Sequence, residues 1–110
     1  MFDVHVHRVG DTQVIAPAGE LDLLSSRELG AALAAAAEYG ATRVVLDLRR
    51  LTFVDSSGIS LIIKFKRHYA AEGIRFGVVK GDEFVQRAFA VSHVEALLPW
   101  TGPPAATDDE

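Results

Sequence analysis

The chain contains no cysteine, which excludes disulfides and thiolate metal sites and fits a reducing compartment. No apolar run approaches the ~20 residues that span a bilayer. The opening residues Met1-Phe2-Asp3-Val4-His5 lack the basic-then-apolar layout of a signal peptide. A cytoplasmic protein without direct membrane insertion is therefore expected. A basic excess is missing too. Formal net charge is −4, and Asp108, Asp109 and Glu110 supply three of those charges, which leaves the body at −1. Duplex binding needs a clear basic face, so nucleic acid is not an expected partner.

What is present is a globular balance. Of 110 residues, 49% are hydrophobic and 24% charged, enough to bury one core but not two. Residues 1–100 read as one domain. Residues 101–110, with Pro103, Pro104 and the three terminal acids, read as a disordered acidic tail.

Phe2, Val4 and Val6 alternate with Asp3, His5 and His7, the period of a half-buried strand. Gly10-Asp11 makes a turn, and Val14-Ile15-Ala16 begins a second strand, predicting an antiparallel hairpin. Pro17 lacks a backbone donor and belongs at an unpaired position or near that strand's end. After the loop Gly19-Glu20-Leu21-Asp22, Ser25 and Glu28 have the spacing of a capping box that opens a helix. Leu29, Ala32, Leu33, Ala36 and Ala37 form its apolar stripe, and Gly40 supplies a left-handed end. Arg43 to Leu48 reads as a strand covered on both faces. Leu51 and Phe53 follow in a connection, then a helix from about Ser57 to Ala71 ends at Gly73. Ile74 to Val79 is a buried strand, and Asp82 caps a helix over Glu83 to Val91. Val94 to Trp100 fits either a short helix or a last strand. The order β-β-α-β-α-β-α predicts an α/β fold. One mixed sheet carries an antiparallel hairpin at its edge, parallel strands beyond it, and helices packed on it.

Val54-Asp55-Ser56-Ser57-Gly58 stands between a strand exit and a helix start. The first turn of a helix has backbone N–H groups without partners and partial positive charge, so an anion placed there is stabilised. A serine there can cap the helix, or it can carry a phosphate. Capping alone is the simpler reading of this stretch, although two serines after an aspartate exceed what one cap needs. Behind it, Leu61, Ile62, Phe65 and Tyr69 form an apolar stripe that Ile59 and Ile63 widen. Either part of this arc is exposed beside the serines, or the helix is deeply buried. Lys64, Lys66, Arg67 and His68 fill a solvated face.

Gly19-Glu20-Leu21-Asp22, Val44-Val45-Leu46-Asp47-Leu48 and Phe53-Val54-Asp55-Ser56-Ser57-Gly58-Ile59 closely resemble the STAS domains of anti-sigma factor antagonists. The resemblance runs from about Phe2 to Trp100. It implies a non-catalytic partner switch. The unphosphorylated antagonist binds an anti-sigma factor that is also a serine kinase, and a sigma factor is released. Phosphorylation ends the complex and a serine phosphatase resets it. The family's phosphoacceptor is the first serine after the aspartate, here Ser56, with Ser57 second. Asp22 and Asp55 match acidic positions beside the acceptor. With Ser56, Ser57, Gly58, Ile59 and Ile63 they make the expected partner-binding set. The alternative within the same fold is a non-switching STAS subunit of a signalling scaffold or a membrane-transport complex. Ser92-His93 departs from the family, which often has Gly followed by an apolar residue there.

Other constellations carry less. His5 and His7, with Asp3, could share a metal, but a site needs three or four ligands and a solvent-facing strand explains the spacing. His68 and His93 are isolated. Ser56 as a catalytic nucleophile would need a histidine base; none is near in sequence. Asp-Ser-Ser-Gly is not the Gly-x-Ser-x-Gly elbow. No Gly-x-x-x-x-Gly-Lys loop occurs. No enzymatic activity, metal or cofactor is expected. Trp100 reads as a core anchor.

Overall fold

The computed structural model describes residues 1–104. Of the tail 101–110 expected to be disordered, Thr101 is instead a sheet residue paired with Val79, which moves the end of the domain past Trp100, and residues 105–110, with Asp108, Asp109 and Glu110, lie outside the described residues. The elements are β1 (Phe2–Val9), β2 (Thr12–Leu21), α1 (Leu23–Glu38), β3 (Arg43–Asp47), β4 (Arg50–Val54), α2 (Ser56–Ala71), β5 (Arg75–Val79), α3 (Glu83–Val91), a short 3-10 turn (Glu95–Leu97) and β6 (Trp100–Thr101). They form the mixed sheet that the sequence predicts. β1 and β2 make an antiparallel hairpin from Phe2 opposite Gly19 to Val9 opposite Thr12. β3, β5 and β6 then follow β2 in parallel.

One strand goes beyond the sequence reading. The segment with Leu51 and Phe53 is not a free connection but β4, which pairs with the far half of β2, Ala18 to Leu21. β2 thus runs along β3 with its first residues and along β4 with its last. Pro17 opposes Val4 and falls where β2 passes from one parallel partner to the other, so its missing donor coincides with an interruption of that ladder. The bend between β3 and β4 is pinned by Asp47. Its carboxylate accepts the Arg49 backbone N–H at 3.1 Å, Nε at 3.0 Å and Nη2 at 2.8 Å. Burial pushes this carboxyl up, but the hydrogen bonds and charge of Arg49, with Arg50, outweigh burial and hold it below the ordinary range. The ambiguous stretch Val94 to Trp100 resolves into both options: a 3-10 turn, then β6 starting at Trp100.

All three helices feed one core. Leu29 and Leu33 of α1, Ile62 and Tyr69 of α2, and Val85 and Phe89 of α3 join Ile15, Val44, Leu46 and Val78 of the sheet in one cluster. Val14, Val45 and Val79 point the other way, as period-two alternation requires, and form a smaller cluster. The Tyr69 hydroxyl donates to the Leu33 carbonyl at 2.6 Å and ties α2 to α1. Trp100 is half-buried rather than a fully enclosed anchor. Its ring stands edge-on to Phe89 and its Nε1 donates to the Glu95 carbonyl at 2.8 Å.

The helix ends follow simple chemistry. Gly40 (φ 83°) and Gly73 (φ 73°) take left-handed conformations just beyond α1 and α2. After α3 the same role falls to His93 at φ 60°, which costs a non-glycine residue about 1–2 kcal/mol. The cap of α1 is one residue set earlier than Ser25 and Glu28 suggest. Asp22 accepts the Ser25 N–H at 2.9 Å, and Ser25 Oγ accepts the Asp22 N–H at 2.9 Å. Ser25 is therefore the last residue of the box, not its first, and Asp22 is the cap because its backbone is extended at φ −121°.

Candidate functional site

The start of α2 is built by Asp55. Its backbone is extended, and its carboxylate accepts the N–H groups of Ser57 at 2.9 Å and Gly58 at 3.2 Å. The cap is thus the aspartate alone. Ser56 and Ser57 are the first two residues of the helix, and among the described residues neither hydroxyl makes a hydrogen bond. Ser56 is exposed and Ser57 half-buried. Gly58 is buried, and a Cβ there would lie 2.7 Å from the Leu21 side chain and 2.9 Å from that of Val54. Only glycine lets the helix start this close to β2 and β4.

Asp22 ends β2 and caps α1, while Asp55 ends β4 and caps α2. Because β2 and β4 run parallel with Leu21 beside Val54, the two caps emerge on the same rim. The Asp55 N–H donates to the Leu21 carbonyl at 3.1 Å and locks the two loops together. Hydrogen bonds from the Ser25 backbone and side chain hold the Asp22 carboxyl below its ordinary range.

This rim lies between two depressions, and Asp55 borders both. One, of about 320 Å³, is lined by Asp22, Leu23, Leu24, Arg27 and Asp55. The other, of about 370 Å³, runs between β4, the start of α2 and α3; its walls include Phe53, Ser56, Phe84, Arg87, Ala88 and Val91. Its wall residues on α3 are unusual for a surface. Phe84 is 79% exposed and Val91 69%, and Phe53 across from them is 47% exposed. No histidine lines it.

The expected site residues divide accordingly. Asp22, Asp55, Ser56, Ser57 and Gly58 are brought together on the rim. Ile59 is only 5% exposed; it contributes an inner wall of the groove, not a free surface. Ile63 is half-buried and packed against the core. The wide arc of α2 therefore faces inward, because α1 and the sheet both pack on it; Leu61 reaches to 3.4 Å from the point where a Gly30 Cβ would stand. The exposed apolar surface beside the serines comes from α3 and β4 instead. Phe84, Arg87 and Val91 went unnoticed in the sequence. Their signal is a second apolar stripe, Phe84-Ala88-Val91, about a third of a turn around α3 from Val85 and Phe89.

Elsewhere, His5 pairs with Asp3 at 3.4 Å on the open face of β1. Among the described residues no group of three or more metal-ligating side chains forms, and no helix is long and apolar enough to cross a membrane.

A family model described as Mlab, STAS domain matches residues 4–99. No curated protein matches the chain in sequence. Among solved structures, an anti-sigma factor antagonist from Mycobacterium paratuberculosis superposes with a TM-score of 0.84 at 21% identity, over 99% of this chain and 90% of that one. The anti-sigma factor antagonist SpoIIAA in its unphosphorylated form gives 0.77 at 25% identity, over 97% and 93%. The phosphorylated form of the Bacillus protein SpoIIAA gives 0.72 at 24% identity, over 97% and 96%.

Proposed function

The chain belongs to the STAS domain family, and from that premise we propose that it is an anti-sigma factor antagonist switched at Ser56. Its unphosphorylated form binds an anti-sigma factor that is also a serine kinase, and this frees a sigma factor for transcription. Phosphorylation of Ser56 ends the binding, and a serine phosphatase restores it. The likeness to SpoIIAA, which exists in unphosphorylated and phosphorylated forms, supports this reading. This assigns the protein to the cytoplasm as a binding protein without catalysis of its own.

The observation that carries the proposal is the placement of the Ser56 hydroxyl. It is exposed, spared from capping by Asp55, and set at the edge of an apolar groove with Phe53, Phe84 and Val91. An apolar groove is what a partner's side chains fill. A phosphate at its edge adds about −1.5 to −2 charges beside Asp55. Burying that charge in an interface carries a desolvation penalty of several kcal/mol. The complex is lost without any change of fold.

Phosphopeptide mass spectrometry on the protein from its native cells, before and after stress, tests the proposal. A phosphate on Ser56 whose occupancy changes is the expected result. Unmodified Ser56 and Ser57 under every condition, with a transporter or scaffold complex as the co-purifying partner, would replace the switch with a structural STAS subunit.

A further inference from the structure

The start of α2 has little to offer a phosphate on Ser56. Of the four N–H groups that a helix leaves free at its beginning, those of Ser57 and Gly58 already donate to the Asp55 side chain. That of Asp55 donates to the Leu21 carbonyl at 3.1 Å. Only the N–H of Ser56 itself remains, and the Asp55 carboxylate adds negative charge at the same place. The expectation that the helix end stabilises the anion fails here because Asp55 already occupies it.

A cation faces the same groove from the other side. Arg87 stands on the outward face of α3 and shares the groove with Ser56. Among the described residues its guanidinium makes no ion pair, although Glu83 lies one turn before it, at a spacing where helical acid–base pairs form. Arg27 borders the neighbouring depression and not the one that holds Ser56.

We propose that Arg87 receives the phosphate of Ser56. A guanidinium presents paired N–H donors that match two phosphate oxygens, a geometry that a lysine lacks. The bridge runs from the first residue of α2 to the middle of α3, across the mouth of the groove. Phosphorylation therefore covers the apolar docking surface besides adding charge to it. This inference rests on Ser56 being the phosphoacceptor.

Phosphoserine placed at position 56 of the full chain by genetic encoding allows a direct test by phosphorus NMR. The second ionisation of an unperturbed phosphoserine lies near pH 6, at about the middle of an accessible titration. Asp55 at the cap of α2 raises it, Arg87 on α3 lowers it, and Asp22 and Arg27 stand farther along the rim. Arg87→Gln is expected to raise the phosphate's pKa by about one unit, the lower end of the range for a close opposite charge; Arg27→Gln leaves it unchanged. Equal values in the parent chain and Arg87→Gln would overturn the proposal, as would a shift produced by Arg27→Gln in its place. Encoded phosphoserine keeps the two claims apart. If cells never modify Ser56 the proposed switch falls, while this measurement still reports on Arg87.

Discussion

The carboxylate of Asp55 accepts the N–H of Ser57 at 2.9 Å, and the residue between them, Ser56, is left outside the cap. Removing the cap and removing the hydroxyl should therefore have different consequences. Asp55→Ala is expected to lower the unfolding free energy by about 1 kcal/mol, the usual cost of losing an N-cap. Ser56→Ala is expected to stay within about 0.5 kcal/mol of the parent, as exposed substitutions do. Urea denaturation of the three chains decides. Equal losses would make Ser56 a structural residue and remove the basis for reading it as an acceptor.

A carboxylate at position 56 imitates part of the phosphate's charge. Ser56→Asp should keep the circular dichroism of the parent, because Ser56 is exposed and its hydroxyl holds nothing in place. Its affinity for the anti-sigma factor recovered from the same cells should fall about a hundredfold, corresponding to roughly 3 kcal/mol of uncompensated charge at an interface. Calorimetric titration of both chains gives the ratio. Equal affinities would show that charge at this position does not govern the complex.

α3 carries two apolar faces with different duties. Val85 and Phe89 are fully buried, while Phe84 and Val91 stand out in the groove. Phe89→Ala should cost about 3–5 kcal/mol of stability, as for other buried aromatics. Phe84→Ser should leave stability within about 0.5 kcal/mol yet weaken partner binding about tenfold or more, as the loss of an aromatic anchor does. A Phe84→Ser chain that binds normally would move the docking surface to the depression beside Leu23 and Leu24.

Much of this architecture is legible in the sequence because the signals are local. The hairpin alternation, Asp82 before α3 and the glycines after α1 and α2 each act within a few residues. β4 escapes such reading because its pattern does not alternate: Leu51 and Val54 face inward while Thr52 and Phe53 are both exposed. The start of α1 offers two boxes of equal spacing, Asp22 with Ser25 and Ser25 with Glu28, and only the backbone angle at Asp22 separates them. The acidic rim is legible because motif and chain order place it. The groove is not, since Arg87 and Ser56 come to line one depression only through the packing of α3 on β4.

Tyr69 gives the fold a pH dependence of known sign. The ring is fully buried and its hydroxyl donates to the Leu33 carbonyl at 2.6 Å. Burial first, and the charge of Glu72 second, hold the phenol well above its ordinary pKa. A tyrosine in the unfolded chain loses its proton near pH 10. Above that point the unfolded state has released a proton that the native state still holds, so rising pH favours unfolding; below it Tyr69 adds no slope. Tyr69→Phe loses the hydrogen bond, which should cost about 1 kcal/mol near neutrality, but it also loses this alkaline term. The melting temperatures of parent and Tyr69→Phe should therefore converge between about pH 8 and about pH 11. A gap that stays constant over this range would mean that the native phenol titrates as freely as the unfolded one, and that the contact with Leu33 does not hold the proton in place.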